Sequence, residues 1–167
     1  MGKRSKKESR SAAHSSSLST RLTTNKPVIY TLGVFDLFHK GHVNYLQDSI
    51  SLKKKVNGYL IVGVQTDESV WLQKCKPPII KLDDRLAVVK AIAGVDEVLP
   101  YYFVCRGDFL LANKVEYLVV SKEYGASDIE QNRTIKEAIK LGIKVVRVPR
   151  YKGISSTKIR AKIASRL

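Results

Sequence analysis

From Pro27 onward, short apolar runs alternate with longer amphipathic segments, and this alternation predicts an α/β fold built on a five-stranded parallel sheet with helices on both faces. Two further observations support it. The runs are apolar throughout, as strands covered on both faces are, and they are separated by helical patterns rather than hairpin turns. A length of 167 residues with 44% hydrophobic content supports a single domain with its own core.

The elements follow in order. VIYTLGVF (28–35) reads as a buried strand, and GHVNYLQDSISLKK as a helix with Val43, Leu46 and Ile50 on one face. GYLIVGVQT (58–66) is a second strand. DDRLAVVKAIAG (83–94) is a helix ended by Gly94, and EVLPYY a third strand. GDFLLANK reads as helical, EYLVVS (116–121) as a fourth strand, SDIEQNRTIKEAIKLG as a helix closed by Gly142, and KVVRVP as a fifth strand. STKIRAKIASRL forms a last short helix. The domain is expected over 27–167, with no internal repeat.

Residues 1–26 hold seven Lys or Arg, one Glu, many Ser and Thr and almost no large apolar side chain. Such a segment cannot bury enough surface to offset the entropy of ordering, so a disordered basic tail is expected. The whole chain carries +15 from 30 basic and 15 acidic residues, which argues for an anionic partner. Cys75 and Cys105 lack the spacing of a disulfide framework or a zinc site. No run approaches the ~20 apolar residues of a membrane span, so no stable membrane insertion is expected, and the basic N-terminus lacks an apolar signal core. The expected location is cytoplasmic, with organelle or nuclear targeting by the tail as the alternative. The tail is also a candidate for contact with polyanions.

In GVFDLFHKGH (33–42), two of the chain's three histidines sit three residues apart between a strand end and a helix start. Free N–H groups and the positive dipole end at a helix start bind phosphate, and imidazoles there can donate to its oxygens. Gly33 would let a ligand approach the backbone, and Gly41 would let the loop pass beneath it. A metal is the weaker reading: no third ligand lies nearby, and Asp36 and Asp48 lack a ligand pattern. RYKGISSTKIR (150–160) offers a second such place. Gly153 allows a tight approach, Ser155, Ser156 and Thr157 bring hydroxyls and N–H groups, and Lys158 and Arg160 add charge. An ordinary capped basic helix would use the same residues. In open parallel sheets, ligands bind beyond the carboxyl ends of the strands where the order reverses, and both motifs fall at such junctions.

GVFDLFHKGH resembles the H-x-G-H motif of the cytidylyltransferase-like nucleotidyltransferases, and RYKGISSTKIR resembles their second motif; the likeness covers about residues 28–163. It implies a Rossmann-like domain that transfers a nucleotidyl group from CTP or ATP to a phosphorylated small molecule and releases pyrophosphate, with Mg²⁺ carried by the nucleotide. By this resemblance His39, His42 and Lys74 are catalytic. Gly33, Val34, Phe35, Asp36, Lys40, Gly41, Lys76, Arg150, Gly153, Ile154, Ser155, Ser156 and Thr157 bind the nucleotide. Lys74, Arg85, Arg106 and Lys122 bind the acceptor. Lys74 and Lys76 fall in a loop, LQKCKPP, that closes over the substrates in the family; Trp71 beside them reads as packing. A homodimer is also implied, with no interface legible in the chain.

Within that family, YLIVGVQTDE and GISSTKIR are similar to phosphocholine, phosphoethanolamine and glycerol-3-phosphate cytidylyltransferases. Two departures stand out: Ala93 where those enzymes carry arginine, and Lys122 with Glu123 where they place an acidic pair. A cation at Lys122 disfavours a cationic acceptor such as phosphocholine and favours glycerol 3-phosphate or a sugar phosphate. A cytidylyltransferase is the first reading. An adenylyltransferase acting on a sugar phosphate or FMN is the second, and a weakened nucleotide- or polyanion-binding protein the third.

Overall fold

The computed structural model describes residues 25–102, 107–122 and 129–166; the expected tail falls outside these save for Asn25 and Lys26, as do Cys105, Arg106 and Glu123. Strand β1 (Val28–Gly33) leads into α1 (Lys40–Val56) and β2 (Tyr59–Gln65). Then come α2 (Asp67–Lys74), α3 (Leu82–Lys90), β3 (Glu97–Tyr101), α4 (Gly107–Ala112), β4 (Val115–Ser121), α5 (Ile129–Lys140), β5 (Lys144–Val148) and α6 (Ser156–Ala164). The strands form one all-parallel sheet in the order β3-β2-β1-β4-β5. This is the Rossmann-like arrangement expected, and its order reverses at β1 and β4.

Neighbouring residues of β1 serve opposite faces, because side chains alternate along a strand. Val28, Tyr30 and Leu32 pack with Ile61, Leu118, Leu110 of α4, and Ile135 and Ala138 of α5. Ile29 packs with Leu60, Val62, Val119, Leu46 and Ile50 of α1, and Val89 of α3. The sheet is thus buried on both sides, and this is why its strands read as unbroken apolar runs.

The sequence pattern predicts a loop over 67–74, whereas the chain forms helix α2 there. Thr66 caps it by accepting from the Ser69 N–H, and Asp67 and Glu68 occupy its first turn. It buries only Ser69 and Val70, so it lacks the apolar stripe that marks longer helices. Trp71 lies on its outer side and is 54% exposed, so its expected packing role is corrected. Cys75, in left-handed conformation at the helix end, is exposed and a free thiol. Helix α3 stops at Lys90, earlier than expected, and Gly94 takes a positive φ in the turn beyond. Among the described residues no helix is long and apolar enough to cross a membrane.

At Gly63, in the middle of β2, a Cβ atom would fall 2.1 Å from the Tyr30 hydroxyl oxygen, and Tyr30 is fully buried. Gly63→Ala is expected to destabilise the protein by about 1–3 kcal/mol in denaturant titrations. Adding Tyr30→Phe should recover part of that loss by removing the clashing oxygen.

Candidate functional site

A cleft of about 290 Å³ opens at the carboxyl ends of β1 and β4, where the strand order reverses. Residues 32–36 and His39, Gly41, His42 and Tyr45 form one wall. Pro149, Arg150, Tyr151 and residues 154–157 form the opposite wall, with Lys74 and Ser121 completing the lining. Helix starts thus reach the cleft from two directions, α1 behind His39 and α6 behind Ser155.

The loop before α1 is tightly constrained, with Phe35 and Leu37 both at positive φ (55° and 47°). Such backbone is costly for non-glycine residues and persists only where packing over-determines it. Phe35 is 2% exposed, which supplies that packing. The loop delivers His39 to the N-cap of α1, where its Nδ1 accepts the Gly41 N–H at 3.1 Å. The His39 N–H in turn faces Nδ1 of His42 at 3.4 Å, closing a reciprocal cap. The two imidazoles stack with centroids 3.9 Å apart and planes 16° from parallel, and His42 packs edge-on to Phe35. A Cβ at Gly41 would lie 2.9 Å from the His39 ring. The space that glycine leaves is therefore filled by the histidine, not by the passing loop. The Gly33 space is likewise taken, by the Phe35 ring.

Burial holds both rings below the ordinary histidine range. For His39, a contact with its own carbonyl opposes the shift and the Arg150 charge adds to it. His42 is pushed to about 3 by burial, with the His39 charge adding and Asp36 opposing. On the opposite wall Ser155 caps α6 by accepting from the Lys158 N–H, and Gly153 takes φ +110° in the turn before it, a conformation that favours glycine. Neither α1 nor α6 carries an acidic residue in its first turn, whereas α2 and α3 both do. The positive dipole ends facing the cleft are thus left uncompensated by their own first turns.

Asp36 holds the cleft's segments together. Its carboxylate accepts from the amides of Ile79 (3.1 Å) and Ile80 (2.9 Å) and pairs with Arg160 at 2.5 Å, while its carbonyl accepts from the Ser156 hydroxyl at 2.6 Å. Burial alone would raise its pKa; the Ile80 amide, Arg160 and the Ile79 amide outweigh that and hold it below the usual carboxylate range. Arg85 is 1% exposed and ties the same region from beneath, donating to the carbonyls of Ile80, Val34 and Gln65 and pairing with Asp67 at 2.5 Å.

The cleft therefore gathers His39, His42, Lys74, Gly33, Val34, Phe35, Asp36, Gly41, Arg150, Ile154, Ser155, Ser156 and Thr157 from the expected set. It does not gather Lys40, Lys76, Gly153, Arg85 or Lys122, none of which lines it. Arg85 is spent on carbonyls and Asp67 inside the protein, and the Arg160 charge is spent on Asp36. Lys76 and Lys122 are exposed outside the lining, and Lys74 ends a helix rather than sitting in a loop. Arg106 lies outside the described residues. Leu32, Tyr45, Ser121, Pro149 and Tyr151 line the cleft outside the expected set. Tyr45 stands one turn beyond His42, and its hydroxyl donates to the Val119 carbonyl at 3.0 Å; Ser121 and Pro149 mark the strand ends that the switch-point rule indicates.

The cytidylyltransferase-like family model matches residues 30–162. The chain belongs to that family. It is 33% identical over 135 residues to the bifunctional protein HldE of Desulfatibacillum aliphaticivorans, which covers 80% of this chain and 26% of the relative. It thus spans about a quarter of the length of that protein. It is 31% identical over 138 residues to the glycerol-3-phosphate cytidylyltransferase of Bacillus subtilis, covering 81% of this chain and 96% of the relative. With the D-beta-D-heptose 1-phosphate adenylyltransferase of Bordetella bronchiseptica it shares 28% identity over 113 residues, 66% of this chain and 67% of that one. These relatives of the cytidylyltransferase-like chain include enzymes named for each nucleotidyl group, cytidylyl and adenylyl.

Asp36→Ala is expected to cost about 3–5 kcal/mol in thermal or denaturant unfolding, because it strands the Arg160 charge and two amides. The histidines give a separate signature. Folding holds their pKa values below the unfolded value, so the unfolded chain takes up protons first, and stability that is full above pH 6.5 drains as pH falls toward about 3. Between pH 6 and pH 4 the unmodified protein should lose up to about 1.4 kcal/mol more per pH unit than His42→Gln.

Proposed function

We propose that this chain is a cytidylyltransferase that moves CMP from CTP to a phosphorylated small molecule and releases pyrophosphate. The observation that carries the reading is the convergence of two uncompensated helix starts on one cleft, with Lys74 and Arg150 beside them. That is an anion site built for a chain of phosphates. The acceptor phosphate attacks the α-phosphorus in line, and the bond from that phosphorus to the pyrophosphate oxygen breaks as the new one forms. An anionic phosphate oxygen needs no base to become a nucleophile, so the protein's task is positioning and charge stabilisation. His39 and His42 donate to phosphate oxygens, the Ser156 and Thr157 region of α6 cradles the nucleotide's phosphates, and Lys74 and Arg150 offset their charge.

The donor set suits a divalent ion that arrives on the triphosphate. Asp36 is the one carboxylate in the described lining, and its oxygens are committed to Ile79, Ile80 and Arg160. No group of three possible ligands occurs among the described residues. When bound with the nucleotide, Mg²⁺ would offset part of the triphosphate charge.

For the acceptor, the cleft lining offers a cationic head group no uncommitted carboxylate among the described residues, and exposed Lys122 follows directly on Ser121. Glycerol 3-phosphate is favoured over phosphocholine or phosphoethanolamine on these grounds. The near full-length match to the Bacillus subtilis enzyme supports that choice. The second reading, adenylyl transfer from ATP to a sugar phosphate, draws on the Bordetella bronchiseptica relative.

The test is pyrophosphate release with Mg²⁺, crossing CTP and ATP against glycerol 3-phosphate, phosphocholine, phosphoethanolamine, sugar phosphates and FMN. Turnover with CTP and glycerol 3-phosphate is expected. Preference for ATP would establish the second reading, and nucleotide binding without turnover would overturn the enzymatic one. His39→Ala and His42→Ala should each lower kcat by about 10²–10³. Lys122→Asp should change the ranking of acceptors more than the affinity for CTP.

A further inference from the structure

The cap at the start of α1 also dictates which proton each histidine carries. Nδ1 of His39 accepts the Gly41 N–H, and Nδ1 of His42 accepts the His39 N–H. A neutral imidazole has one N–H and one acceptor nitrogen, so a ring that accepts at Nδ1 carries its proton at Nε2. An imidazolium carries both protons and accepts nothing. Charging either ring would set N–H against N–H at the helix start, and charging both would place two cations in rings stacked 3.9 Å apart.

The surroundings of the pair act mostly in the same direction, the contact of the His39 ring with its own carbonyl being an exception. Arg150 bears on His39 from beyond β5, Lys74 lines the cleft from the end of α2, and Lys40 opens α1 itself. Tyr45 and Tyr151 are the other titratable lining groups. Asp36 is the one opposing charge in the described lining, and Arg160 already pairs with it. Phe35 and Phe38 flank His42 with apolar rings.

We propose that the helix cap locks His39 and His42 as neutral Nε2–H donors, so that the pair gives the phosphates hydrogen bonds of fixed direction and no positive charge. The cationic share of the work then falls to Lys74 and Arg150. This deepens the nucleotidyl-transfer reading and rests on it for the identity of the ligand, while the protonation state is a property of the chain alone. It also explains why Gly41 has no side chain, since a Cβ there would press on Nδ1 and Cε1 of His39 at 2.9 Å.

The experiment is nitrogen-15 NMR of the full chain labelled at histidine, from pH 8 to pH 5.5, alone and with CTP and Mg²⁺, with His14→Gln used to assign the tail resonance. Two rings protonated at Nε2 only, unchanged to pH 5.5, are expected. A proton at Nδ1 of either ring, or titration of either ring between pH 8 and pH 5.5, would overturn the proposal. Gly41→Ala should free the His39 ring, giving mixed tautomers and titration nearer 6.5; an unaltered His39 signal would show that the cap is not the cause. If the pyrophosphate assay registers turnover, kcat between pH 7 and 8.5 should vary less than twofold, whereas a tenfold fall per pH unit would identify the imidazolium as the working form. Because the NMR reading needs no turnover, failure of the proposed reaction and failure of the tautomer lock are separate outcomes.

Discussion

At the carboxyl end of β1 the chain buries a carboxylate and, beneath it, a guanidinium, and the cleft is organised around these two groups. Asp36 gathers the 77–81 segment through two amides and α6 through Arg160 and Ser156. Arg85 gathers the end of β1, the end of β2, the start of α2 and the same 77–81 segment. An unpaired charge at such depth would be expensive, so each group is stable only while all its partners are in place. Loops far apart in sequence are thereby fixed relative to one another, and the distance between Lys74 and the histidines depends on both groups.

The same logic separates two kinds of basic residue that look identical in a sequence. Lys74 and Arg150 line the cleft, whereas Arg85 and Arg160 lie outside its lining, on Asp67 and Asp36. Net charge reports their sum and says nothing of the division. The histidines show a related economy: the rings that cap the helix also line the cleft, so the local fold and the site share atoms.

The sheet was legible because burial on both faces imposes continuous apolar runs, and the strands lie within one or two residues of the positions read from them. The cleft was legible because GVFDLFHKGH and RYKGISSTKIR each combine a strand end with a helix start. Helix α2 was not, since eight residues with one buried apolar side chain leave no periodic trace. Arg85 was assigned to the acceptor because its place at the head of a helix matches a family pattern, and sequence carries no mark of a guanidinium turned inward onto carbonyls. Tyr45 and Tyr151 escaped for a different reason. Each reaches the cleft through a long-range partner, the Val119 carbonyl for Tyr45 and Asp48 for Tyr151, and such pairs appear only once the chain is folded.

Helix α6 has no buried residue of its own. Its hold on the domain comes from its first turns, through Ser156 and Arg160 onto Asp36, while Ile163 further along is half exposed. The opposite wall of the cleft therefore rests on the same polar contacts that satisfy the buried Asp36, and loosening that wall would leave the carboxylate short of partners.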